Sequence, residues 1–137
     1  MYPPQLVQPM KNELVNNGFS DLTTIEEVDQ FIQQSGTVLL VVNSVCGCAA
    51  GGARPGVVQS LNNEFTPDHL GTVFAGFDMD ATARAREHML PFPPSSPAVA
   101  LFKDGEIVHM LERHHIEGHM PLAIADNLKQ AYNEFCS

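Results

Sequence analysis

The sequence predicts an α/β fold in which a mixed central sheet lies between helical layers, with extra helices at the N-terminus. Three observations carry that expectation. The run from Thr37 to Asn43 is β-branched and leucine-rich with no alternating polar positions, which is how a strand buried on both faces reads. A helix-compatible stretch and a second apolar run, Val73 to Phe77, follow it, and that order calls for a right-handed parallel crossover. Finally, Ala98 to Phe102, the turn Lys103-Asp104-Gly105-Glu106 and the run Ile107 to Leu111 spell an antiparallel hairpin with an Asp-Gly centre.

The remaining elements fall into place around these strands. Gln5 to Asn17 reads as a first helix interrupted near Pro9, with Leu6, Met10 and Leu14 on a shared face and Gly18 as the stop. Thr23-Thr24-Ile25-Glu26 has the pattern of a capping box, with Thr23 and Glu26 as its members, opening a helix that runs to about Gln34. After the first strand a helix is expected from Cys48 to Asn63, weakened by Gly51, Gly52 and Gly56 and kinked at Pro55. Asp78-Met79-Asp80 can cap the helix Ala81 to Met89. The proline-rich stretch from Pro91 to Pro97 must be a loop, and it runs directly into the third strand. Pro121 suits the first turn of a last helix ending near Phe135. Residues 1–137 are expected to form one domain, with 1–36 a helical extension and 37–135 the core.

Charge restricts the partners. Seven basic against sixteen acidic residues give a net charge of −9, which argues against nucleic acid or an anionic membrane surface. The N-terminal residues carry neither a basic segment nor an apolar core of a signal, and no stretch approaches the roughly 20 apolar residues of a membrane span. A cytoplasmic protein is expected. Three cysteines do not make a disulfide framework there, because the cytosolic pool keeps structural thiols reduced.

Two of those cysteines define the candidate site. Cys46 and Cys48 flank Gly47 where the buried strand turns into a helix, and a thiol at a helix N-terminus is favoured as thiolate by unpaired N–H groups and the helix dipole. Cys46 is the expected nucleophile and Cys48 the deeper partner. Between Asp29 and Glu64 the only charged residue is Arg54, so no adjacent cation is expected beside the thiolate, and the lowering of its pKa should come mainly from the helix terminus. Positions i and i+2 do not face each other on a helix, so a Cys46–Cys48 disulfide should distort the turn, with Gly47 absorbing the distortion. A distorted disulfide is more oxidising, which suits exchange with an outside thiol better than use as a strongly reducing dithiol. Cys136, next to last, has the weaker claim of a resolving thiol.

The strand–helix–strand–hairpin–helix order, a cysteine turn after the first strand and an X-Pro bond before the third together resemble the thioredoxin fold over Thr37 to Phe135. In a chain of this order the Ser96–Pro97 bond is expected to be cis and to lie opposite Cys46. Three segments narrow the resemblance: Asn43 to Gly51 with its Cys-Gly-Cys, Ser95-Ser96-Pro97, and Arg113-His114-His115-Ile116-Glu117-Gly118-His119 are similar to the signatures of the bacilliredoxin family. Cys136 also matches a cysteine near the C-terminus of members of that kind. The resemblance implies a thiol–disulfide oxidoreductase that removes bacillithiol, a low-molecular-weight thiol, from mixed disulfides on cytosolic proteins, with no bound cofactor. It also implies Cys46 and Cys48 as catalytic residues, Gly47, Ser96 and Pro97 as the substrate-binding surface, and weak disulfide isomerase activity as an alternative. Val45 stands where ordinary thioredoxins carry tryptophan, so recognition by a tryptophan wall is not available.

The histidines suggest a different class. His109, His114, His115 and His119 cluster near the hairpin exit, and a metal module could be built from Cys46, Cys48 and histidines. Neither HExxH nor paired CxxC motifs are present, so no metal site is expected, and Glu112, Arg113 and Glu117 read as a solvated face.

Overall fold

The computed structural model describes residues 2–137. Its centre is β2 (Thr37–Asn43), whose seven residues are all buried. On one side β2 pairs in parallel with β3 (His69–Phe74), and on the other it pairs antiparallel with β4 (Ala98–Lys103). Two edge strands complete the five-stranded sheet: β5 (Glu106–Leu111), antiparallel to β4, and β1 (Ser20–Asp21), parallel to β3. The Asp-Gly hairpin turn places Asp104 and Gly105 at φ of 50° and 85°, the left-handed conformation that such a turn demands.

Alternation along β2 divides the core. Val38, Leu40 and Val42 pack with α2 (Ile25–Ile32) and α4 (Met79–His88), whereas Leu39 and Val41 pack with α3 (Arg54–Ser60) and α6 (Pro121–Phe135). The latter layer also takes Leu14 of α1 (Pro4–Val15). The result is the expected three-layer α/β/α arrangement with a mixed sheet.

Boundaries differ from the sequence expectation where a local signal misleads. Pro9 lies within a continuous α1, because Val7, Lys11 and Leu14 on either side of it are held on one buried face and offset the lost backbone bond. The capping box is one residue further on: the Thr24 hydroxyl accepts from the Glu27 N–H at 3.1 Å and the Glu27 carboxylate accepts from the Thr24 N–H at 3.2 Å. β3 begins earlier than Val73 because Gly71 belongs inside it, where a Cβ would come within 2.7 Å of the Phe31 ring. Asp78 precedes α4 without a side-chain cap bond and instead lies 2.7 Å from Nζ of the buried Lys11.

The helix after the cysteines departs most. A wide π turn, Ala49–Ala53, precedes α3, and Pro55 sits in the first turn of α3, where a missing N–H costs no internal bond. Two of the three glycines that looked like helix breakers, Gly52 and Gly56, make the contact with α6, whereas Gly51 faces open space. A Cβ on Gly56 would lie 2.9 Å from Cβ of Ile124 and 3.1 Å from the Pro121 carbonyl oxygen. Two elements had no periodicity to reveal them, the two-residue β1 and the single turn α5 (Arg113–Ile116). Among the described residues no helix is long and apolar enough to cross a membrane.

Candidate functional site: the cysteine turn

Where β2 ends, a buried polar frame holds the turn. The Asn43 amide oxygen accepts from the Ser44 N–H at 2.9 Å and from Nη1 of Arg54 at 3.0 Å, and its Nδ2 donates to the Met10 carbonyl at 3.2 Å. The same Nη1 of Arg54 donates to the Ser44 carbonyl at 2.8 Å, and its Nε lies 3.1 Å from the Glu13 carboxylate. Arg54 is only 2% exposed. The Ser44 hydroxyl then accepts from the Cys46 N–H at 3.2 Å. The Cys46 carbonyl takes the first helical bonds, from the Ala49 and Ala50 N–H groups at 2.9 and 3.2 Å. Cys46 is therefore the residue at which the helix starts.

Both thiols are free and half-buried. The pKa of Cys46 is lowered, first by the Cys48 thiol donating to its sulfur, then by the Cys48 N–H, the positive charge of Arg113 and the Ala49 N–H. That of Cys48 is raised by burial and by the neighbouring Cys46 sulfur. Of the two thiols Cys46 thus gives up its proton more readily and Cys48 holds its own more tightly.

This corrects two expectations. The largest single cause of the lowering is the neighbouring thiol, ahead of the N–H groups of the helix terminus, and a cation is present: Arg113, read from sequence as part of a solvated face, acts on Cys46 from α5, 67 residues along the chain. Its guanidinium also donates to Glu117 at 2.8 Å and, weakly, to the Ser96 carbonyl at 3.4 Å, while its N–H reaches the Ser95 hydroxyl at 3.3 Å. Arg113→Gln is expected to raise the pH midpoint of Cys46 alkylation by iodoacetamide, because removing the cation disfavours the thiolate. An unchanged midpoint would mean that the turn alone sets it.

The thiols also meet without an intramolecular disulfide, because Cys46 lies ahead of the helix and not on it, so the i, i+2 mismatch does not part them. Gly47 between them is exposed, with negative φ and with open space where a Cβ would stand. Any constraint from the short motif therefore belongs to the closed disulfide ring. Replacing Gly47 by two residues is expected to lower the reduction potential by at least about 30 mV, roughly 1.4 kcal/mol for this couple. Equilibration of both forms against glutathione reads this directly, and equal potentials would remove ring strain as the reason for the motif.

The other candidates separate. The Ser96–Pro97 bond is cis, as is Leu90–Pro91, and Ser96 shares a cleft with Cys46. Cys136 does not. It packs at the beginning of β2, where its sulfur accepts from the Thr37 hydroxyl, and the length of that strand, about 20 Å, lies between it and the cysteine turn. Direct resolution of a Cys46 disulfide by Cys136 is excluded in this fold. The mixed cysteine–histidine chelate fails too, since the ligand atoms that converge within 4.8 Å among the described residues are those of Glu112, His114 and His115, without either cysteine.

Comparison with known proteins agrees with this arrangement. The family described as disulphide isomerase matches residues 2–136. A bacilliredoxin of Cytophaga hutchinsonii is 60% identical over 134 residues, covering 98% of this chain and 99% of that protein. The chain belongs to the bacilliredoxin family. A second bacilliredoxin, from Halalkalibacterium halodurans, is 54% identical over 98% of this chain and 94% of its own length. Among solved structures, a putative oxidoreductase with a thioredoxin fold superposes with a TM-score of 0.61 at 20% identity, covering 81% of this chain and 96% of that one. The oxidised thioredoxin of Plasmodium falciparum gives 0.59 at 19% identity, over 87% and 99%. These likenesses establish the thioredoxin fold, and with the family they support a thiol–disulfide oxidoreductase.

Proposed function

We propose that this protein removes bacillithiol from mixed disulfides on cytosolic proteins, with Cys46 as nucleophile. The observation that carries the reading is geometric: Cys46 stands at the helix start on a cleft it shares with Ser96 of the cis Ser96–Pro97 bond, with Cys48 two residues behind it and its pKa shifted the other way. The Cys46 thiolate attacks the bacillithiol sulfur, forming a Cys46–bacillithiol disulfide and releasing the client thiolate. Cys48, after losing its proton, can then attack Cys46, expelling bacillithiol as a thiolate and closing the Cys46–Cys48 disulfide. Alternatively an outside thiol attacks the bacillithiol sulfur and returns Cys46 as thiolate. In the first route the enzyme dithiol loses two electrons and the mixed disulfide gains them, one at the client sulfur and one at the bacillithiol sulfur; in the second the outside thiol replaces the client in a disulfide with bacillithiol, so one disulfide is exchanged for another. No bound cofactor enters either route.

The family's description as disulphide isomerase favours a second reading, the reshuffling of protein disulfides. One client carrying bacillithiol on a single cysteine separates the two. Mass spectrometry should show the client losing bacillithiol and, in a Cys48→Ala protein, Cys46 acquiring it. A protein that leaves this adduct intact yet rearranges a scrambled multi-disulfide client would be an isomerase instead.

A further inference from the structure

Beside Cys46 a cleft of about 380 Å³ opens at the carboxyl ends of the parallel strands β2 and β3, the end of such a sheet where ligands bind. Its walls include Tyr2, Ser44, Cys46, Arg86, Ser96 and Arg113, and none of its lining residues is acidic. That is notable in a chain with sixteen acidic and seven basic residues. The two arginines come from unrelated elements, Arg86 from α4 and Arg113 from α5, and their partners differ. Arg113 is paired with Glu117, whereas Nε of Arg86 is buried with no hydrogen-bond partner among the described residues. That nitrogen is enclosed by protein, so a ligand in the cleft meets the outer guanidinium nitrogens, and among the described residues no carboxylate forms a salt bridge with Arg86.

Resting on the reading of the site as a remover of small thiols, we infer that this cleft seats the carboxylate groups of the departing thiol, with Arg86 as its principal anchor. A guanidinium presents parallel N–H donors that match a carboxylate, and one enclosed beside a nucleophile recognises an acid-bearing small molecule better than a neutral one. The anchor also fixes the direction of exchange. With its acid groups held in the cleft, the small thiol brings its own sulfur to Cys46, so the new bond forms to that sulfur and the client thiolate leaves. Attack on the other sulfur would instead attach the client to Cys46 and release the small thiol.

One single-cysteine client, modified in turn with mercaptosuccinate (two carboxylates), mercaptoacetate (one) and mercaptoethanol (none), tests this with the client surface held constant. Rates are divided by those of dithiothreitol on the same adducts to cancel intrinsic reactivity. The normalised rate is expected to be about tenfold higher for mercaptosuccinate than for mercaptoethanol, the worth of one hydrogen bond to a charged group. Arg86→Gln should collapse that ratio, Arg86→Lys should keep most of it, and added salt should shrink it in the unaltered protein. Because the readout is a ratio within one protein, partial loss of folded Arg86→Gln does not affect it, and the series on the unaltered protein decides alone if that variant fails to fold. Equal normalised rates for the three adducts would overturn the carboxylate seat while leaving thiol removal intact. Failure to remove any adduct, bacillithiol included, would instead remove the function on which the seat rests.

Discussion

Cys46→Ala is expected to abolish removal of bacillithiol from a modified client, a fall of at least about 10³-fold towards the uncatalysed rate, because no other thiolate reaches the cleft. Cys48→Ala should behave differently. It keeps the nucleophile, so a Cys46–bacillithiol adduct forms and persists when no outside thiol is supplied. It also removes the S–H donor that contributes most to lowering the Cys46 pKa. Attack should therefore slow near neutral pH and recover as pH rises, since more thiolate then forms without that donor's help. Rapid-quench alkylation followed by mass spectrometry across a pH series reads both effects. An active Cys46→Ala protein would overturn the assignment of the nucleophile.

The parts of this site that follow from neighbouring residues were legible in the sequence. The uninterrupted apolar run at Thr37 to Asn43 announced a strand buried on both faces, and the strand–turn–helix order after it placed Cys46 at a helix start. The hairpin was equally plain, because an Asp-Gly pair between apolar runs has few other uses. What the sequence hid are features made by tertiary approach. Gly56 lowers helix propensity when read locally, and only the position of Ile124 on another helix shows that nothing larger fits. Arg113 sits among charged and histidine residues with no period, and its bearing on Cys46 depends on how β5 delivers α5 to the mouth of the cleft. Arg86 carries no local signal at all, and only the structure shows that its Nε is buried beside the cleft. The place of Cys136 was equally hidden, since chain order says nothing about which end of the sheet a terminal residue reaches.

Arg54→Leu is expected to destabilise the protein by about 3 kcal/mol and to blunt Cys46 reactivity at the same time. The sequence offers Arg54 only as an isolated charge in a long uncharged stretch, and such a residue is usually solvated. Here it is buried under the cysteine turn, where one nitrogen bonds both the Asn43 side chain at 3.0 Å and the Ser44 carbonyl at 2.8 Å. Leucine matches much of its apolar bulk but leaves the Ser44 carbonyl without this donor, and the Asn43 oxygen with only the Ser44 N–H. Those two groups set the path of the chain into Cys46, so their loss should loosen the turn that aims the Cys48 and Ala49 N–H groups at the sulfur. The ion pair with Glu13 contributes less, because Glu13 is half exposed and water can replace the arginine there. Glu13→Gln should accordingly cost well under half of what Arg54→Leu costs. Urea unfolding of both variants gives the stabilities, and iodoacetamide alkylation of Cys46 in the folded protein gives the coupling to chemistry. If Arg54→Leu shifts stability by no more than about 0.5 kcal/mol, the ordinary range for surface substitutions, the turn is held by its backbone bonds and not by this arginine.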